Sequence, residues 1–132
     1  MKTPTPTPAI RIKDIAFTGY PITDLARARS FYEHVLRLKT WLVFEHQGKA
    51  WIEYEIGSGT LAISNLLPVW KPSLDGPSVA LEVHDFDAAI AALRQAGVPF
   101  RHEPTVGETC SMAVVTDPDG NGIMIHQKRA AA

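Results

Sequence analysis

The same order of elements occurs twice in this chain, and that repeat restricts it more than any other feature. Asp24 stands ahead of Leu25, Ala28, Phe31, Tyr32, Val35 and Leu36, which recur at helical spacing. Asp85 stands ahead of Ala88, Ala89, Ala92 and Leu93, a second helical stripe that Gly97 ends. An aspartate at an N-cap accepts hydrogen bonds from the orphan N–H groups of the first turn, so both positions read as helix starts. Laying Asp24 on Asp85 superposes strand on strand and helix on helix with little residue identity. The spacing predicts two β-α-β-β-β modules related by a pseudo-twofold.

The strands follow from local composition. In the first module, residues Ile10 to Ile22 are β-rich and read as one strand broken or bent around Lys13-Asp14 and Gly19. After the helix, Trp41–Phe44, Trp51–Ile56 and Thr60–Ser64 are strands separated by Gln47-Gly48 and Gly57-Ser58-Gly59. The second module offers Ser78–Val83, then Val98–His102, Ser111–Val115 and Ile123–His126. Asp117-Pro118-Asp119-Gly120 is turn chemistry, so the last two strands form a hairpin. Residues 65–77 carry Pro68, Pro72 and Pro77 and read as a linker, with Trp70 either lidding the pocket or covering the junction between modules. The Thr-Pro repeats make residues 1–9 an extended tail. The predicted organisation is one domain over 10–127 (module one 10–64, linker 65–77, module two 78–127), with 128–132 a C-terminal tail.

Alternation along the strands separates two faces. Val79, Leu81 and Val83 share one apolar face, as do Leu61 and Ile63, and Ile123 and Ile125; these pack under helices. The opposite faces read Ser78/Ala80/Glu82, Thr60/Ala62/Ser64 and Met124/His126, small or polar. A sheet of that kind, curved on itself, encloses a concave pocket. A net charge of −1 gives no electrostatic case for nucleic acid or an anionic membrane surface, and no apolar run approaches the roughly 18–20 residues that span a bilayer. One cysteine excludes an internal disulfide and a cysteine-based zinc knuckle, and the N-terminus lacks the apolar core of a signal peptide. The expectation is a cytoplasmic protein.

Three stretches resemble the vicinal oxygen chelate superfamily, which includes glyoxalase I, fosfomycin- and bleomycin-resistance proteins and extradiol dioxygenases. They are Ile22–Tyr32, Leu81–Ala89 and Asp117-Pro118-Asp119-Gly120-Asn121. The resemblance covers residues 10 to 127. It implies an α+β fold in which two paired β-α-β-β-β modules form a curved mixed sheet around a cavity, with helices on the convex side and a homodimer as the common assembly. In the metal-dependent members one ligand comes from the first and last strand of each module, as His or Gln, Glu, His and Glu. Carried over, those positions are Phe17, Ala62, Ser78 and Met124. Phe, Ala and Met offer no donor to a hard or borderline cation and Ser a poor one. The resemblance therefore implies a metal-free member; the alternative is a divalent metal (Zn, Ni, Fe or Mn) relocated to His126 with Glu82 or Glu53. Arg37 stands where the family usually has glycine in Leu-Gly-Leu, which predicts another backbone conformation at the helix exit.

The remaining residues of the pocket face carry two readings each. His126 is either a general base or hydrogen-bond donor to a ligand, or a hydrogen-bonded histidine near the end of a strand. Glu82 either meets a ligand or orients a histidine, or is a carboxylate paired at the cavity mouth. Trp51 and Glu53 enter the pocket if Ile52 and Ile56 point to the helices; otherwise that strand faces solvent or a dimer partner. Cys110, with Met112 and Val114, either lines the pocket or is an inert small apolar residue. Two main functions follow. One is a binding protein of the bleomycin-resistance type that holds a small, partly apolar or aromatic molecule through Phe17, Trp51, Met112 and Met124, with Glu82 and His126 orienting it. The other is a lyase, isomerase or dioxygenase-type enzyme using His126 and Glu82, with or without a relocated divalent metal. A homodimer with a vestigial pocket is the third.

Overall fold

The fold, taken from a computed structural model, is described for residue 11 and residues 14–73 and 75–129; Ile10, the Thr-Pro tail and residues 130–132 lie outside the described residues. The chain runs β1 (Thr18–Pro21), α1 (Leu25–Arg29) continued by a π-helical stretch (Ser30–Val35), β2 (Lys39–His46), β3 (Lys49–Ile56) and β4 (Gly59–Ser64). The second module repeats it with β5 (Val79–Glu82), α2 (Phe86–Gln95), β6 (Phe100–Val106), β7 (Cys110–Thr116) and β8 (Gly122–Lys128). Each module is a mixed four-stranded sheet with the same strand order, β1-β4-β3-β2 and β5-β8-β7-β6. In each, the first strand pairs in parallel with the last and the other neighbours are antiparallel. This is the α+β pair of β-α-β-β-β modules that the repeat predicts.

Both helix starts use the expected chemistry: Asp24 accepts from the Arg27 N–H and Asp85 from the Ala88 N–H, each at 3.0 Å. Three local features differ from the sequence reading. β1 does not extend over Ile10 to Ile22; Asp14 to Phe17 lie outside it, with the Asp14 side chain bonded to the Ile15 N–H at 2.8 Å. The first helix is not α-helical throughout, since the Leu36 N–H reaches the Phe31 carbonyl, five residues back, at 2.9 Å. Arg37 adopts φ 60°, the left-handed conformation a glycine would take, instead of finding another exit.

One core joins the modules. Tyr32, Tyr54, Ile52, Leu61 and Ile63 of module one share it with Ile90, Leu93, Val115, Ile123 and Ile125 of module two. The Tyr20 hydroxyl accepts from the Val79 N–H (2.6 Å) and donates to the Gly122 carbonyl (2.8 Å), bridging the modules. The Asp117–Asn121 turn is the other bridge. Asp117 Oδ1 accepts from the N–H groups of Asp119 and Asn121, and Oδ2 accepts from the Tyr32 hydroxyl at 2.7 Å and from Asn121 Nδ2. Asn121 Nδ2 also donates to the Pro21 carbonyl, and Asp119 Oδ1 takes the Thr23 N–H and hydroxyl and the Arg27 guanidinium. Burial, reinforced by the Asp117 charge, pushes the Tyr32 hydroxyl far above the ordinary phenol range, so it stays a donor.

Candidate functional site

The helix-free faces of the two sheets carry the candidate residues. On β3, Ala50, Ile52 and Tyr54 are fully buried toward the helix side, which turns Trp51 and Glu53 to the opposite face, where both are half-buried. Phe17, just before β1, meets Trp51 edge-on with centroids 5.1 Å apart. Glu53 Oε2 accepts from the Trp51 indole N–H at 2.9 Å. Trp70 completes the cluster, tilted 34° against Trp51 at 5.7 Å. The linker tryptophan thus lies against the sheet face of module one, the lid position of the two that the sequence left open. Leu42 and Phe44 of β2, cross-strand partners of Glu53 and Trp51, extend this face and remain exposed. Ala62 is fully buried, and Gly19, its partner in β1, has Trp70 packed directly over it.

On module two the register sets out two rows. Met112, His126 and Glu82 are successive cross-strand partners on β7, β8 and β5, and Val114, Met124 and Ala80 form the next row. His126 Nδ1 lies 2.5 Å from Glu82 Oε1, and Glu82 Oε2 accepts from the Lys128 N–H at 2.6 Å. The Lys128 bond first, then the His126 contact, hold the Glu82 carboxyl below the usual carboxylate range. An ionised carboxylate only accepts, so Nδ1 carries the shared hydrogen and Nε2 is the ring nitrogen open to a ligand. Cys110 is half-buried at the start of β7, two residues before Met112 on the same face.

The structure groups these residues unevenly. Phe17 and Ser78 line one cleft of about 470 Å³ together with Gly19, Lys71 and Asn121. Glu82 borders another of about 650 Å³ between the modules, with Thr18, Leu61 and Val79. Trp51 and Glu53 belong to the module-one cluster, and Met112, Met124 and His126 to the module-two rows. Neither of those two clefts contains all of them. Sequence reasoning missed Leu42, Phe44 and the Lys128 N–H. The first two stand in a run read only as a strand; the third is a backbone group, for which a sequence gives no signal.

The four positions that the resemblance assigns to metal ligands hold an arene, a methyl, a hydroxyl and a thioether, a donor set that does not fit a divalent cation. Among the described residues, no group of three His, Cys, Asp or Glu side chains is placed to hold one. Residues 14–125 match the Glyoxalase/Bleomycin resistance protein/Dioxygenase superfamily. The chain belongs to this superfamily. Several solved structures of similar fold extend the comparison. TnmS3, an antibiotic binding protein from Streptomyces sp. CB03234, is 22% identical over 91% of this chain and 99% of its own, with a TM-score of 0.75. The trypanothione-dependent glyoxalase I of Leishmania major is 23% identical over 88% of this chain and 87% of its own, with a TM-score of 0.72. A glyoxalase/dioxygenase from Nostoc punctiforme is 17% identical over 98% of this chain and all of its own, at 0.74. At these identities the likeness is one of fold. No curated protein matches the chain. No helix among the described residues is long and apolar enough to cross a membrane.

Proposed function

We propose that this superfamily member is a metal-free binding protein, cytoplasmic and homodimeric, that holds a small, partly apolar or aromatic molecule on its helix-free sheet faces. The observation that carries the reading is the set of side chains on those faces. Phe17, Trp51 and Trp70 cluster on one module, and Met112, Met124 and Val114 lie together on the other. Stacking and thioether contacts suit an aromatic ligand, and Glu53, Glu82 and His126 offer the few polar groups that fix orientation. The name of TnmS3 as an antibiotic binding protein is consistent with this. The homodimer is supported by β2, an edge strand whose Trp41 and Val43 are exposed.

Titrating aromatic compounds against tryptophan fluorescence tests the reading, with Trp51→Ala expected to weaken the response; a stoichiometric divalent ion in protein purified without chelator sinks the metal-free assignment. A second reading, a lyase, isomerase or dioxygenase-type enzyme, is favoured by one feature. Glu82 is fastened at both oxygens and presents His126 with Nε2 free, the arrangement of an oriented general base. Turnover that vanishes in His126→Ala while ligand binding persists selects this reading.

A further inference from the structure

The linker carries one side chain that behaves unlike its neighbours. Leu67 and Val69 stand in solvent, Val69 83% exposed, whereas Trp70 turns onto module one and is half-buried. A Cβ built on Gly19 would fall 2.4 Å from Trp70 Cη2, 3.1 Å from Cζ3 and 3.3 Å from Phe17 Cε2. The indole therefore fills the space that any other residue at position 19 would claim, in a recess whose walls are Gly19, Phe17 and Trp51.

Little else holds this stretch down. The Leu66 N–H donates to Ser64 Oγ at 3.0 Å and the Ser73 N–H to Asn121 Oδ1 at 3.3 Å. Between those anchors the hydrogen bond found among the described residues is from the Trp70 N–H to the Leu67 carbonyl, inside the same turn. Residues 66 to 73 form a strap tied at both ends and pinned in the middle by one aromatic ring.

We propose that Trp70 is a resident stand-in for the ligand. The Gly19–Phe17–Trp51 recess takes a planar bicyclic aromatic of about indole size, which enters by displacing Trp70. This rests on the reading that the sheet face binds a ligand and adds the ligand's chemical class and the step that admits it. A tethered indole competes at high effective concentration. A free ligand wins by reaching contacts Trp70 does not make, and Leu42 and Phe44, exposed beside Glu53 and Trp51, supply them. The strap thereby selects extended ring systems over single rings.

Indole, titrated by calorimetry into the full chain, tests this. Trp70→Ala is expected to bind indole at least about tenfold more tightly than the unmodified chain, because the occupied fraction of the recess no longer reduces the apparent affinity. Adding Gly19→Ala to that variant refills the recess and returns binding to the starting level. A cooperative thermal melt establishes folding of each variant, and Trp70→Leu replaces Trp70→Ala if the latter does not fold. The proposal is overturned if removing Trp70 leaves indole affinity unchanged, or if the gain survives Gly19→Ala. Unchanged indole affinity together with loss of aromatic-ligand binding in Met124→Glu overturns the strap while leaving the binding function intact, on the other module's face. Absence of binding by indole and by every aromatic compound tried, in all variants, overturns both.

Discussion

Glu33 shows how a single side chain ties stability to pH. Its carboxylate accepts from Arg29 at 2.7 Å and from the Tyr54 hydroxyl at 2.8 Å. Burial works against its charge, but those two hydrogen bonds outweigh it and hold the carboxyl below the ordinary range. A lowered folded value means that the stabilisation is complete above the unfolded value, about 4.3, and is lost as pH falls through the lower folded value. Thermal midpoints measured from pH 6 to pH 3 should fall less steeply in Glu33→Gln than in the unmodified chain. Arg37 is the complementary case. A non-glycine residue at φ 60° is strained by about 1–2 kcal/mol, part of which glycine would return as unfolded-state entropy. Arg37→Gly is expected to raise stability by about 1 kcal/mol in urea titrations, with no change in ligand binding.

Among the elements, the turn between β7 and β8 has the most at stake. Asp117 is 3% exposed and accepts from two backbone N–H groups, the Tyr32 hydroxyl and Asn121 Nδ2. Asp117→Ala should cost about 3 kcal/mol or more, measured by chemical denaturation, because Tyr32 and Asn121 would be left with unpaired buried donors. Tyr32→Phe leaves Asp117 bonded to Asn121 and should cost about 1–2 kcal/mol. What the sequence made legible divides along the same line of locality. The capping aspartates, Gly97 and the Asp-Pro-Asp-Gly turn act within a few residues, and the period-two alternation of β3 and β8 put Trp51, Glu53, Met124 and His126 on the correct faces. The ends of β1 were not legible, because they depend on pairing of Thr18–Pro21 with Leu61–Ser64. Nor was the seat of Trp70, which rests on a distant glycine, or the row from Glu82 to Met112, which needs the register of three strands.

At the scale of the whole molecule, the repeat made the two-module fold predictable, yet the modules do not have equal faces. Module one has an aromatic cluster held under a strap; module two has an open row with an oriented imidazole. If ligand is held as proposed, His126→Ala should weaken affinity by less than about tenfold, since one hydrogen bond contributes roughly 0.5–1.5 kcal/mol, whereas Trp51→Ala should cost more. Sedimentation at micromolar concentration checks the proposed assembly, with twice the 14.5 kDa chain mass expected and a monomer at every concentration overturning it.

The Tyr20 hydroxyl has a consequence for how the chain comes apart. It is donor to one strand of module two and acceptor from another, while the Tyr32 hydroxyl donates a hydrogen bond to Asp117 across the same seam. Freed of its neighbour, module one would present both phenols with no partner, in a core that Ile123 and Ile125 help to close. The two halves therefore share one melting event: calorimetric and van't Hoff enthalpies should coincide, and a fragment ending near Ser64 should remain uncollapsed until the complementary fragment is added. Duplicate architecture here yields a single cooperative unit whose halves are mutual scaffolds.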